Sequence, residues 1–231
     1  MKNLKKVLAL VLAFVMIVGV LGVSASAFND DKDIKYKEAV DVLSGIGVIK
    51  GYENGSFKPE GTITRAEAAK IVVTLLIGEK AASALKCDVA PFTDVPVTHW
   101  AAGYIAYCAD AGILDGNGDG TFEPEANVTG YQFAKMLLCA VGYGEQDEFV
   151  GKNWAVNVAK LAIPEGIFDD NLSGANHQAA TRQECSLYAF NTLLNVDTVT
   201  YLKALDMYMN GYTLQESLYP ELKTVDTQSA Y

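Results

Sequence analysis

Two arginines occupy positions that ought to repel them. Thr64-Arg65-Ala66-Glu67 and Thr181-Arg182-Gln183-Glu184 both read Thr-x-x-Glu ahead of an apolar run. That pattern is a capping box, in which the Thr hydroxyl and the Glu carboxylate satisfy backbone N–H groups at a helix start. The macrodipole gives such a start about half a positive charge, which welcomes an acid and disfavours a base. Capping accounts for Thr64 and Glu67, for Thr181 and Glu184, and for Thr129 and Gln132 in "TGYQ", at about 1 kcal/mol per cap. It leaves Arg65 and Arg182 unexplained. An anionic ligand explains them: free N–H groups at a helix start favour an anion, and a guanidinium beside them grips a carboxylate through two hydrogen bonds.

Other chemistry is thinly represented. His99 and His177 are the only histidines, and neither lies in a nucleophile or metal motif. Asp169 and Asp170 form an acidic pair that reads as a solvated loop rather than as the two carboxylates of a glycoside hydrolase. "DGNGDG" (Asp115 to Gly120) imitates the start of a calcium loop. Ala126 stands where the bidentate Glu belongs, so a tight glycine turn is the better account. Cys87, Cys108, Cys139 and Cys185 lack C-x-x-C spacing. Either they form two disulfides in one of three connectivities, or they serve as small core residues. No catalytic residue, metal or cofactor is expected.

The elements that position the arginines follow from a repeat. Gly47, Gly51, Gly55, Phe57, Pro59 and Thr64 recur 65 residues later as Gly112, Gly116, Gly120, Phe122, Pro124 and Thr129. A worn third copy keeps Trp154, Gly166 and Thr181, with the 12-residue spacing that separates Trp100 from Gly112. Each copy reads as an apolar helix stopped by glycine, a loop that is glycine-rich in the first two, and a second helix beginning at the capping Thr. Phe133, Met136, Leu137, Ala140 and Val141 form the stripe of one such second helix. One pair of short helices cannot bury its stripes, but three pairs can enclose a core. An all-α, three-lobed domain from Phe28 to about Asn195 is expected, with residues 80–91 joining the first two lobes.

Length and composition place this domain outside the cell. Of 231 residues, 50% are hydrophobic and 20% charged, which is globular. Residues 1–27 read as a signal peptide: Lys2, Lys5 and Lys6, an apolar run from Val7 to Val23, then Ala25-Ser26-Ala27. Its removal leaves 15 basic against 28 acidic residues, a net charge of −13. A surface that acidic rules against nucleic acid, whose affinity rests on Lys and Arg neutralising phosphate. An anionic partner must be recognised by local pockets. No second long apolar stretch implies membrane residence after cleavage.

"FTDVPVTHWAAGYIAYCADAGILDGNGDGTFEPEANVTGYQFAKMLL" (Phe92 to Leu138) resembles a surface-layer homology (SLH) domain almost end to end. "GVIKGYENGSFKPEGTITRAEAAKIVVTLL" (Gly47 to Leu76) is similar to the latter part of another, including its TRAE signature, and Trp154 to Leu194 looks like a degenerate third. The boundaries are then 28–80, 92–145 and 149–196, followed by a tail of residues 197–231. The resemblance implies a pseudo-threefold bundle with binding grooves between adjacent repeats. It also implies non-covalent anchoring of an exported protein to a secondary polysaccharide of a Gram-positive-type cell wall, often one carrying ketal-linked pyruvate. Other surface-layer proteins are further candidate partners.

By the same resemblance, Gly51, Tyr52 and Gly116 bring backbone close to the ligand. Asp94 is a ligand contact or a helix cap. Trp100 and Trp154 either offer an apolar face to a sugar ring or pack in the core. Two copies depart from the pattern. Gly130 stands where Arg65 stands, so the groove it forms is expected to bind weakly or not at all, with Tyr131 left to stack on sugar. Lys35 occupies the Trp100 position, with Tyr36 as a substitute. In the tail, Tyr201, Leu205 and Tyr208 could line one helix face, and the segment is expected to pack on the domain or fray. A self-associating surface protein, or an adaptor working through this tyrosine-rich tail, is the alternative to an anchor.

Overall fold

The computed structural model describes residues 28–172 and 178–222. The expected signal peptide, His177 and the last residues of the tail lie outside them. Six α-helices come in three pairs: α1 (Lys37–Gly45) with α2 (Arg65–Ser83), α3 (Ala102–Asp110) with α4 (Gly130–Ala140), and α5 (Trp154–Ala162) with α6 (Arg182–Asn195). Each first helix ends at a glycine in the left-handed region: Gly47 at φ 77°, Gly112 at 67° and Gly166 at 77°. A β-carbon is disfavoured there, which is why these three glycines recur at one spacing. All three second helices carry the full reciprocal capping box that the sequence predicts.

Packing crosses the boundaries between pairs. α2 lies against α3, α4 against α5, and α6 closes the circle against α1. The three second helices also touch one another, so they form the centre and the first helices the outer ring. Phe57, Phe122, Ile63, Ile105, Phe133, Leu137, Ile167, Tyr188 and Leu193 are fully buried between them.

A ring of backbone hydrogen bonds runs through the residues that precede the capping threonines. Ile63 N–H donates to Ala180 O (3.1 Å), Ala180 N–H to Val128 O (2.8 Å), and Val128 N–H to Ile63 O (3.0 Å). All three residues are buried. Each copy therefore gives one donor and one acceptor, and the third bond closes the circle.

The helix starts differ from expectation. Beyond the N–H held by Thr64, α2 has its Arg65 and Ala66 N–H groups donating to Ala126 O (2.8 Å) and Pro124 O (3.0 Å) of the second copy's loop. At α6, Arg182 and Gln183 donate to Gly61 O (2.7 Å) and Pro59 O (3.2 Å) of the first copy's loop. These donors are spent on protein, so they are not free to hold an anion. Adjacent copies could not dock so closely without something filling that electropositive end, and a loop carbonyl does so.

Two further departures concern α2 and the tail. α2 does not stop before residue 80; Gly78, at φ 76° and ψ 159°, breaks its direction and the helix resumes to Ser83. Just before the break, the Tyr219 hydroxyl lies 3.2 and 3.1 Å from the Thr74 and Leu75 carbonyl oxygens and shares its one hydrogen between them. The tail is thus packed on the domain, but not as one helix. It forms an antiparallel hairpin, β1 (Asp197–Leu202) with β2 (Met207–Thr213), and a short helix α7 (Leu214–Leu218). "DTVTYL" and "MYMNGYT" are rich in β-branched and aromatic residues; their strand propensity prevails over the helical spacing of Tyr201, Leu205 and Tyr208. No helix among the described residues is long and apolar enough to cross a membrane.

Tyr219→Phe should lower unfolding free energy by about 1–2 kcal/mol, read by urea denaturation, with the tail still folded. A second prediction concerns Glu38 on α1, whose carboxyl is pushed up to about 7 by burial and by Asp170, with Oε1 buried and without a hydrogen-bond partner. The folded state binds this proton more tightly than the unfolded chain, whose value is about 4.3. Its stabilising effect is full below that value and is lost as pH rises towards 7. Glu38→Gln should therefore raise stability above pH 7 by about 1 kcal/mol, discounted for partial exposure, and leave it unchanged near pH 4.

Candidate ligand-binding grooves

Two clefts repeat at equivalent positions. One, of about 200 Å³, is lined by Val48 to Tyr52 of the first loop, by Glu67, Lys70 and Ile71 of α2, and by Trp100 and Arg182. The other, of about 370 Å³, is lined by Ile113 to Asn117 of the second loop, by Gln132, Lys135 and Met136 of α4, and by Trp154 and Arg65, among others. The same 65-residue offset relates Lys50 to Asp115, Tyr52 to Asn117, Glu67 to Gln132 and Lys70 to Lys135. Each cleft draws its loop and second helix from one copy, its tryptophan from the next, and its arginine from the remaining one. Three copies build every groove.

Each arginine is partly committed. Arg65 Nε donates to Phe122 O (2.7 Å) and Nη2 to Asp115 O (3.1 Å), and its guanidinium lies 4.3 Å from the Phe122 ring centre. Arg182 Nε donates to Phe57 O (2.9 Å) and Nη2 to Lys50 O (3.0 Å), over Tyr52 and Phe57. Its Nη1 lies 3.8 Å from Glu67 Oε1. Carbonyl oxygens of a neighbouring loop thus relieve the awkward charge at each helix start. A guanidinium has five N–H groups, so both keep donors for a ligand.

The remaining expected residues fall into two groups. Trp100 is 53% exposed at its cleft, stacked near His99 at 5.8 Å between ring centres, while Trp154 is half-buried and packs on the core. Both line grooves, so each has an apolar face available. Tyr52 also lines its cleft, 39% exposed. Gly51 and Gly116 line the clefts too, but a ring explains them: an added Cβ would lie 2.5 Å from Phe28 Cε1 or Phe92 Cε1.

Asp94 caps no helix and lines neither groove. Its carboxylate accepts from Phe122 N–H (2.8 Å) and Glu123 N–H (2.7 Å). Burial pushes this carboxyl up, and those donors more than reverse the effect, leaving it below the ordinary range. Asp30 does the same for Phe57 and Lys58, both at 2.8 Å. Lys58 and Glu123 are non-glycine residues at φ 56° and 59°, a strained conformation that the carboxylates hold in place. The pairing of Phe28 and Asp30 with Phe92 and Asp94 escapes a search at 65, because its offset is 64.

The departures at Lys35, at Gly130 and in the third loop meet at the third position. Rotating the arrangement once brings together the third loop, α6, the Lys35 end of the first copy and the Gly130 end of α4. The contacts agree: Tyr131 meets Phe168 at 5.5 Å between ring centres, Lys35 N–H donates to Gln183 Oε1 (2.8 Å), and α1 packs on α6. Here Gly130 replaces the arginine, Lys35 the tryptophan, Leu187 the lysine, and Asp169 the Lys50 or Asp115 position. Asn171 Nδ2 donates to Glu184 Oε1 and Tyr188 Oη, both at 3.0 Å.

The family model for the S-layer homology domain matches residues 27–69 and 91–134. Among curated relatives, "Surface-layer 125 kDa protein" of Lysinibacillus sphaericus is 31% identical over 209 residues, covering 84% of this chain and 17% of the relative. "Cell surface glycoprotein 1" of Acetivibrio thermocellus is 37% identical over 135 residues, 56% of this chain and 6% of the relative. "Cellulosome-anchoring protein" of the same organism is 43% identical over 88 residues, 38% of this chain and 20% of the relative. The chain spans at most a fifth of the length of these relatives. The family match and the helical pairs that carry it identify residues 27–69 and 91–134 of this chain as S-layer homology domains.

Proposed function

We propose that this chain is a cell-surface anchor that holds a secondary cell-wall polysaccharide non-covalently in the two clefts, its repeats being residues 28–80, 92–145 and a worn 149–196. One observation carries the reading: two equivalent clefts, each joining a tryptophan face to cations contributed by separate repeats. An aromatic face suits the apolar side of a sugar ring, while cations suit an acidic substituent such as a ketal-linked pyruvate. The net charge of −13 for residues 28–231 keeps other anionic polymers away, leaving recognition to these clefts. Relatives named for the surface layer and for cellulosome anchoring support the assignment. The chain is read as non-catalytic, with the third position poor in cations and acting as structure.

A second reading rests on the hairpin. β2 exposes Met207, Met209 and Tyr212, and a two-stranded sheet leaves unpaired edges that invite another chain. On this reading the protein also self-associates at the surface.

Purified cell-wall sacculi, before and after mild acid removal of pyruvate, test the first reading in a pull-down. Binding to untreated walls that falls at least ten-fold after acid is expected, and Trp100→Ala should cost about 1 kcal/mol of it. Equal retention by both preparations would refute the acidic substituent, and retention by neither would refute anchoring. For the second reading, sedimentation should show association that Met209→Lys with Tyr212→Lys abolishes; a monomer at all concentrations excludes it.

A further inference from the structure

The two clefts reach the same charge by different residues. In the first, three cations line or border the space, and two are already matched. Lys50 Nζ is paired with Glu79, and Arg182 faces Glu67 while bonding two carbonyls. Lys70 lines the cleft half-buried, and among the described residues its ammonium has neither an ion pair nor a hydrogen-bond partner. In the second cleft the assignment is reversed. Lys135, the equivalent of Lys70, has Asp115 at 3.4 Å. Arg65 bonds carbonyls only, because Gln132 stands where Glu67 faces Arg182.

Two replacements at one offset produce this exchange: Lys50 by Asp115, and Glu67 by Gln132. The first supplies a counter-charge to the lysine, and the second removes one from the arginine. Each cleft is left with one cation that is ion-paired to no carboxylate, Glu123 and Asp94 acting on Arg65 only from beyond ion-pair distance. At the third position Glu184 and Glu60 act on Lys35, and Asp169 stands where Lys50 and Asp115 stand, so the balance is negative.

We propose that each cleft takes one singly charged carboxylate on the polysaccharide, read by Lys70 in the first cleft and by Arg65 in the second. This rests on the anchoring reading and names the residue that does the work in each groove. Lys135 is a bystander to the carboxylate, held by Asp115. Arg182 positions the first loop through its carbonyl bonds rather than supplying the decisive charge. A partly buried cation without a counter-ion is where an arriving carboxylate gains most, because its approach breaks no existing pair.

Lys70→Gln and the paired change Lys135→Gln with Asp115→Asn provide the decisive comparison, since none of these three side chains bonds a backbone group and neither variant should unfold the protein. Both would be assayed by pull-down on sacculi before and after mild acid treatment, with thermal melting as a folding control. Lys70→Gln should weaken retention on untreated walls about ten-fold or more, through loss of one of two linked sites, and leave retention on acid-treated walls at the wild-type level. Lys135→Gln combined with Asp115→Asn, which removes the pair together and leaves the cleft's net charge unchanged, should lose much less than Lys70→Gln on untreated walls. Arg65→Gln should resemble Lys70→Gln on untreated walls. Asp115→Asn, which frees Lys135, should increase the difference between the two preparations.

Equal losses from Lys70→Gln and from the paired change, or a loss from the paired change alone, would overturn the assignment while leaving the anchor intact. Failure of the wild-type protein to bind either wall preparation would instead overturn the anchoring reading itself.

Discussion

The three bonds joining Ile63, Ala180 and Val128 are what the rest of this protein is arranged around. Each is an ordinary backbone hydrogen bond, worth about 1 kcal/mol net, yet their closure into a circle fixes three chain segments at once. The capping threonine follows each ring residue directly, so the ring sets where all three central helices begin. Once those starts are fixed, the first turn of α2 or α6 has one place to put its N–H groups, namely the carbonyls of a neighbouring copy's loop. Burial of the ring makes the arrangement cooperative. An unmatched N–H at this depth would cost about 1–3 kcal/mol, so no copy can withdraw alone.

Circular packing explains how a worn repeat persists. A groove in this architecture belongs to no single copy, since its loop, tryptophan and arginine come from three. Gly130 in the second copy, Lys35 in the first and the shortened loop in the third look unrelated along the chain. In space they are one event, converging where the third groove would lie. The first and second grooves escape because their parts come from the remaining thirds of each copy. The ring and the capping boxes are retained in all three copies, consistent with selection on the scaffold acting separately from that on each cleft.

Much of the fold was readable from spacing alone. The glycine stops at Gly47, Gly112 and Gly166 and the threonine starts at Thr64, Thr129 and Thr181 mark six helix boundaries, because both depend on local backbone geometry. The order of packing was not readable, since periodicity tells which face is apolar but not which neighbour covers it. The tail was misjudged for a related reason: helical spacing of three side chains is weak evidence against the strand propensity of the residues around them. In the clefts, Arg65 and Arg182 stood out by type and position, and Trp100 and Trp154 by spacing. Lys70 and Lys135 did not, being ordinary lysines on helices, and only the cleft walls distinguish them.

The arginines themselves carry the last step. A guanidinium in the first turn of a helix is unfavourable only if that end remains exposed and its dipole uncompensated. Here the loop of another copy presents carbonyl oxygens both to the helix N–H groups and to the guanidinium beside them, so helix end and side chain together behave as one donor surface. Gly130 tests this logic within the molecule. The loop it would have met is the one whose sequence has lost the glycine-rich turn, so the arginine and that turn are missing together. The role of arginine in this fold is therefore first to lock a loop against a helix, and ligand binding is added where a charge remains unmatched after that lock has formed.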